Sequence, residues 1–303
     1  MNELFPQGYA WINGKFVKLD DAKISILDWG FLRSDATYDV VHVWKGRFFQ
    51  LDKHIDRFFA STKKLRMPCQ MDRGELKKIL AGCVEKAQLE SAYVEMIQTR
   101  GISPNFVRDP RLATPRVMAF AVPFGWILKQ EDFEKGLDVL LTDIKRIPPS
   151  SVDPTIKNYH WMDLVTGMLN AYEKGNDTAV LVDENNNITE GPGFNLFCIN
   201  ETGIFTPEHG VLEGITRQSV FDLAKELNLP IMTKSISVKE LYSAEELFAT
   251  STAGGIMPIT RVSGQEIGKG SVGSLTRQLH KLYWEKHSDD SWSTSITDIL
   301  SNK

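Results

Sequence analysis

The chain has 303 residues, 42% of them hydrophobic, which is enough for two domains with cores of their own and excludes a single small module. Its formal net charge is −4 with a pI near 5.9, and Lys and Arg are scattered along it, so no basic stripe marks out nucleic acid or an anionic membrane as a partner. A small-molecule partner fits this balance better.

At the N-terminus there is no positive n-region or apolar h-region, and no later stretch approaches the roughly 18 apolar residues of a spanning helix, so a cytoplasmic protein is expected. Residues 10–17 turn on Asn13-Gly14, the strongest short hairpin signal, and 39–49 turn at Lys45-Gly46 in the same way. Asp52 is expected to cap a helix in which Leu51, Ile55, Phe58, Phe59 and Leu65 recur at helical spacing and which Pro68 stops. Arg57 then rides a helix directly after a sheet. A second helix over about 72–88 leads into an alternating strand over 92–99, with 117–122 continuing the same sheet.

Pro123-Phe124-Gly125-Trp126 breaks this pattern, which predicts an N-terminal domain over 1–122, a linker over 123–130 and a C-terminal domain over 131–303. Beyond the linker a strand is expected at 137–141, and a helical pattern runs from Tyr159 through Met162, Val165, Met168 and Leu169 to Gly175, so that Lys157 lies just before it. Strands at 178–183 and 196–199 flank an Asn-rich turn and Gly191-Pro192-Gly193, putting Glu190 at a strand's end. A helix over 216–227, a strand around Ile231 and a strand over 246–251 follow, the last ending in Thr252-Ala253-Gly254-Gly255. The tail from His287, rich in Ser and Asp, is expected to be loosely ordered, or to dock on a neighbour through Trp292 and Ile299-Leu300. Cys69, Cys83 and Cys198 form no Cys-x-x-Cys and read as reduced structural thiols, and no metal site is expected.

Several residues carry candidate chemistry. Lys157, flanked by Ile156, Tyr159 and Trp161, is predicted to be part-buried; burial disfavours its charge and supplies an amine able to attack an aldehyde, surface charge being the alternative. Gly214-Ile215-Thr216 opens a helix whose free N–H groups and positive dipole end suit a phosphate dianion. Thr252 offers a second hydroxyl and Arg57, in His54-x-x-Arg57, a charge-assisted fork. Tyr38, Tyr93 and Trp161 would form an aromatic pocket for an apolar or aryl substituent, where a carboxylate is costly without a cation; ordinary core duty is the alternative.

Taken together, Pro154-Thr155-Ile156-Lys157-Asn158-Tyr159-His160-Trp161, Thr189-Glu190-Gly191-Pro192-Gly193-Phe194-Asn195 and Leu212-Glu213-Gly214-Ile215-Thr216-Arg217 resemble the lysine, acid and phosphate segments of the class IV, branched-chain-like pyridoxal-phosphate aminotransferases. The resemblance implies a two-domain α/β (α+β) fold of type IV: a smaller N-terminal α/β domain, a larger C-terminal domain, pyridoxal 5'-phosphate in the cleft between them, and a homodimer. It implies Lys157 as Schiff-base lysine and proton shuttle, and Glu190 against the pyridine nitrogen. Leu212 would pack on the ring face, Asn195 would line the same region, and Arg57, Ile215, Thr216 and Thr252 would surround the phosphate.

Within that family, Tyr93-Val94-Glu95 and the stretch from Phe31 to Asp39 resemble the R-selective amine transaminases. The implied reaction is a ping-pong transfer from an R-configured primary amine to a keto acid such as pyruvate, with Tyr38, Tyr93, Glu95 and Trp161 facing the substrate. The keto-acid carboxylate is expected on Arg108, in the loop over 101–108, with Arg111 and Arg33 as competitors. Arg33 stands where some relatives carry histidine, which keeps a D-amino-acid or branched-chain amino-acid transaminase open. An aminodeoxychorismate-lyase-like enzyme and a non-catalytic phosphometabolite-binding protein are the remaining alternatives.

Overall fold

The computed structural model describes residues 6–301. In chain order they form β1 (Tyr9–Ile12), β2 (Lys15–Lys18), α1 (Trp29–Arg33), β3 (Ala36–Trp44), β4 (Arg47–Phe49), α2 (Leu51–Lys64), α3 (Arg73–Ala87), β5 (Ala92–Ile102), β6 (Thr114–Pro123), β7 (Leu137–Lys145), α4 (Met162–Glu173), β8 (Thr178–Val182), β9 (Asn195–Asn200), β10 (Gly203–Pro207), α5 (Ile215–Glu226), β11 (Ile231–Lys234), α6 (Val238–Tyr242), β12 (Glu246–Ser251), β13 (Gly255–Val262), β14 (Gln265–Glu266), α7 (Ser274–Glu285), β15 (Ser293–Ser295) and α8 (Ile296–Ser301). They divide into two units that are not contiguous in sequence. One takes the chain up to Gly125, Ile156–Tyr159 and the residues from His287; the other takes Trp126–Thr155 and His160–Lys286. No helix among the described residues is long and apolar enough to cross a membrane.

The first unit is built on an antiparallel sheet in the order β15-β4-β3-β5-β6-β1-β2. Its two hairpin turns, Asn13-Gly14 (φ 54° and 78°) and Lys45-Gly46 (φ 49° and 76°), hold paired left-handed residues, which match the strand twist. Along β3 and β5 alternate side chains divide between the sheet's faces. Val41, Val43, Val94 and Met96 join Ile55 and Phe58 of α2 and Leu76 and Leu80 of α3 in one core. By the same alternation Tyr38, Tyr93 and Glu95 occupy the opposite face.

Asp52 does not cap α2. The cap position is Gln50, in the left-handed region at φ 53° and without a side-chain bond to the helix; Asp52 sits in the first turn and pairs with Arg73 and Lys77. α2 ends at Lys64, and Arg66 turns the chain at φ 56°, so the break comes before Pro68. α3 starts as expected, with Asp72 Oδ1 accepting from the Glu75 amide at 2.8 Å.

Over residues 287–301 the tail is ordered rather than loose, and it docks on its own unit. β15 pairs with β4, the Gln50 amide donates to the Trp292 carbonyl at 2.8 Å, and Ile299 is buried in the core beside Ile296 and Leu300. A few well-placed apolar side chains outweigh the polar composition of the segment, because each removes its own area from water.

The second unit carries a sheet in the order β11-β10-β9-β12-β13-β7-β8, with β14 on β13; the β10–β11, β13–β7 and β7–β8 pairs are parallel. Val139, Val180, Leu196, Leu247 and Ile259 fill one core, while Leu140, Leu164, Ala171 and Leu181 pack α4 against the sheet. β10, β13, α1, α6 and α7 were not expected from sequence. Pro258 lies within β13, opposite Phe248, and a proline inside an apolar run argues against a central strand.

Candidate active site

The lysine segment belongs to the first unit. Residues 156–159 run along β3: the Lys157 carbonyl accepts from Thr37 Oγ1 at 2.6 Å and from the Tyr38 amide at 3.1 Å, and Asn158 bridges to Thr37. These bonds fix the backbone after Lys157, and before it the Lys157 amide donates to Ser61 Oγ at 3.4 Å; the side chain is half-buried with Nζ 4.5 Å from the centroid of the Tyr38 ring. On Tyr38 stacks Tyr159, with centroids 4.3 Å apart and planes at 17°. Tyr159 Oη donates to Glu95 Oε1 at 2.5 Å, and Tyr93 Oη to Glu95 Oε2 at 3.4 Å. Tyr38, Tyr93, Glu95, Lys157 and Tyr159 therefore form one connected cluster. Burial pushes the Glu95 carboxyl up, and Tyr159, Lys157 and Tyr93 draw it back toward ionisation. Burial and then the Glu95 charge raise both phenols well above their usual range, so they remain donors.

Arg57 is placed on the helical side of the same sheet. Its Nε meets Asp39 Oδ2 at 2.7 Å and its Nη2 meets Oδ1 at 2.9 Å, while His54 Nδ1 lies 2.7 Å from Oδ1. Burial opposes the Asp39 charge, yet Arg57 first and His54 after it hold this carboxyl well below the usual carboxylate range. Burial lowers His54, so the neutral ring donates Nδ1–H to the carboxylate. Of the candidate carboxylate clamps, Arg33 lies over the Trp29 ring at 4.7 Å, Arg111 is paired with Asp109 at 2.6 Å, and Arg108 is exposed.

The acid and helix segments belong to the second unit. After β8 the chain folds back, with the Thr189 amide donating to the Leu181 carbonyl and the Leu181 amide to the Glu190 carbonyl, at 3.0 and 3.1 Å. Glu190 thus lies in this returning segment, beyond the strand's end. Its buried Oε2 accepts from the Leu212 amide at 2.9 Å and from Asn195 Nδ2 at 3.4 Å, and Oε1 from Arg146 Nε at 3.2 Å. Asn195 Nδ2 also reaches the Leu212 carbonyl at 2.9 Å, so Glu190, Asn195 and Leu212 are one network. Arg146 Nη1 continues to Asp163 Oδ2 at 2.6 Å. Burial works against the Arg146 charge, but Glu190 and Asp163 outweigh it and raise the guanidinium.

α5 starts at Ile215 behind an extended Gly214, with no side chain capping its first amides. A Cβ at Gly214 would lie 2.1 Å from Asn195 Oδ1, so glycine is required by close approach. Thr216 is buried in the first turn. Thr252 is half-buried in the turn after β12, where Ser251 Oγ donates to the Gly193 carbonyl at 2.7 Å. Trp161 packs against Leu140, Leu164 and Leu181.

A phosphorylated pyridine aldehyde needs an amine, an anion and phosphate donors; the first unit carries an amine of that kind in Lys157, and the second carries an anion in Glu190 with its balancing Arg146 and amide donors at the uncapped start of α5. Four residues of this chemistry were missed in the sequence: Arg146, Asp39, His54 and Tyr159. A rule pointed to two of them, since a buried acid such as Glu190 and an arginine at a ligand position such as Arg57 each need a partner of opposite charge.

Residues 36–262 match the family model for amino-transferase class IV. A provisional branched-chain-amino-acid aminotransferase of Methanocaldococcus jannaschii is 29% identical over 290 residues, which is 95% of this chain and 99% of the relative. The crystal structure of the T.th. branched-chain amino acid aminotransferase with pyridoxamine 5'-phosphate superposes with a TM-score of 0.88 at 28% identity, covering 96% of this chain and 99% of the other. The branched-chain amino acid aminotransferase of Escherichia coli gives a TM-score of 0.90 at 26% identity, covering 95% and 99%.

Proposed function

The chain belongs to the class IV amino-transferases and uses pyridoxal phosphate, and from that premise we propose that it transfers the amino group of an R-configured primary amine to a keto acid such as pyruvate by a ping-pong route. The observation that carries this reading is Glu95. The polar group beside Lys157 in the Tyr38, Tyr93 and Tyr159 cluster is a carboxyl, which repels a donor bearing a carboxylate and accepts an uncharged aryl or alkyl substituent. The resemblance through Tyr93-Val94-Glu95 supports the R configuration.

When bound, the cofactor supplies an aldehyde that holds the donor nitrogen and a cationic ring that accepts the electrons released at the substrate carbon. Lys157 Nζ takes the proton from that carbon and returns it on the other side of the transfer. Glu190 Oε1 and Oε2, oriented by Arg146, Asn195 and the Leu212 amide, keep the ring nitrogen protonated. The Ile215 and Thr216 amides, Thr252 and Arg57 would hold the phosphate, and Leu212 would support the ring. Tyr38 and Tyr93 hold the substituent, with Trp161 as a further contact. Arg108 receives the keto-acid carboxylate in the second half-reaction, with Arg111 and Arg33 as the other candidates.

A homodimer is supported by α4, which exposes Met162, Val165, Leu169 and Tyr172 along one stripe. Cys69, Cys83 and Cys198 are free, and burial pushes the Cys83 and Cys198 thiols up to about 12, which accords with a cytoplasmic protein whose thiols are reduced and inert.

The second reading is a branched-chain amino-acid transaminase, favoured by the names of the relatives and served by the same Lys157, Glu190 and α5; a D-amino-acid transaminase would use them too. Acetophenone formation from R- and S-1-phenylethylamine with pyruvate, beside D-alanine and L-leucine with 2-oxoglutarate, separates these readings. Turnover of the R-amine alone is expected; turnover of an amino acid alone moves the assignment to that class. Lys157→Ala should lower kcat by about 10²–10⁴-fold or more whichever donor is used.

A further inference from the structure

The two bonds to Glu95 are unequal. Tyr159 Oη is 2.5 Å from Oε1, the length of a charge-assisted bond, whereas Tyr93 Oη is 3.4 Å from Oε2. Tyr159 is also held in place on two sides. Its ring stacks on Tyr38, and its segment is pinned to β3 through Thr37 and Tyr38. The titratable and charged groups that bear on Glu95 are Tyr159 and Lys157 of their segment, Tyr93 of β5 and, across the sheet, Asp39 of β3; by register Tyr38 and His42 are its diagonal neighbours on β3. β6 places Phe120 opposite it and adds no charge.

Resting on the amine-transaminase reading, we propose that Tyr159 is a positioning residue: it holds Glu95 as an oriented anion beside Lys157 and so makes the part of the pocket that receives the donor's substituent repel a carboxylate, the keto-acid carboxylate being received apart from it at an arginine. The physical reason is that burial alone drives a carboxyl to its neutral form, and a hydrogen bond donated to the ionised form opposes this. Without the Tyr159 hydroxyl, Glu95 takes up its proton at a higher pH. The neutral acid no longer repels a carboxylate and can donate to one.

The test is calorimetric binding of 3-phenylpropionate and of its neutral isostere 3-phenylpropionamide to the holoenzyme, followed from neutral to alkaline pH. The wild type should prefer the amide, and its binding of the acid should improve as pH falls. Tyr159→Phe should narrow that preference by about tenfold, the worth of a hydrogen bond to a charged group, and should move the onset of acid binding to higher pH. Glu95→Gln should narrow it as far, and adding Tyr159→Phe to Glu95→Gln should change nothing more. An unchanged preference and onset in Tyr159→Phe, an equal loss for both probes, or no preference in the wild type would overturn the proposal. Failure of the amine reading shows separately, in the wild-type turnover of phenylethylamine, because this binding assay involves no donor.

Discussion

Asp39 and Arg57 form a two-pronged ion pair, Nε to Oδ2 at 2.7 Å and Nη2 to Oδ1 at 2.9 Å, with the carboxylate fully buried. The pair fixes the guanidinium that we assign to the phosphate, and it ties β3, which carries Tyr38, to α2. Removing one member leaves a buried charge uncompensated, so Asp39→Asn should cost about 3–5 kcal/mol in urea unfolding at neutral pH.

The same site sets a pH dependence. Asp39 has a folded pKa below its unfolded value, so its contribution is present above about pH 3.9 and is lost as pH falls toward the folded value. His54 is likewise lowered in the fold by burial; its unfolded form binds a proton below about pH 6.5, so stability declines from there downward. Unfolding free energy should therefore fall in two acid steps. His54→Gln should remove the upper step and Asp39→Asn the lower one.

Glu190→Gln preserves the acceptor for the Leu212 amide but removes the negative charge facing Arg146. A kcat loss of about 10²-fold or more is expected, with a larger kinetic isotope effect on an α-deuterated donor, because proton removal from the substrate carbon becomes slower. An unchanged isotope effect would mean that Glu190 serves only to hold its loop.

Gly214→Ala puts a methyl group where Asn195 Oδ1 stands, and Asn195 is the link between Glu190 and Leu212. Cofactor affinity should fall about tenfold when the apoenzyme is titrated with pyridoxal phosphate, while the unfolding midpoint of the apoenzyme shifts little.

Ile299 is 8% exposed and packs in the core of the first unit although it lies near the chain's end. Ile299→Ala should destabilise the protein by about 2 kcal/mol in thermal or urea unfolding. A change within error would mean that the tail adds no stability where it docks.

Periodicity and turn chemistry are local, and they determined much of the fold in advance: the hairpins at Asn13-Gly14 and Lys45-Gly46, the cap of α3 at Asp72, and the alternation of β5. The three motif stretches likewise pointed to the family and the cofactor, through their resemblance to the class IV enzymes that the match over residues 36–262 bears out. Only the tertiary structure decided which residues those groups meet. Glu95 and Tyr159 are 64 residues apart, Arg146 and Glu190 are 44 apart, and the Lys157 carbonyl is bound by Thr37 from 120 residues away. A residue's type fixes which bond it can make, whereas its partner is selected by the packing of distant strands and by the need to compensate charges taken out of water.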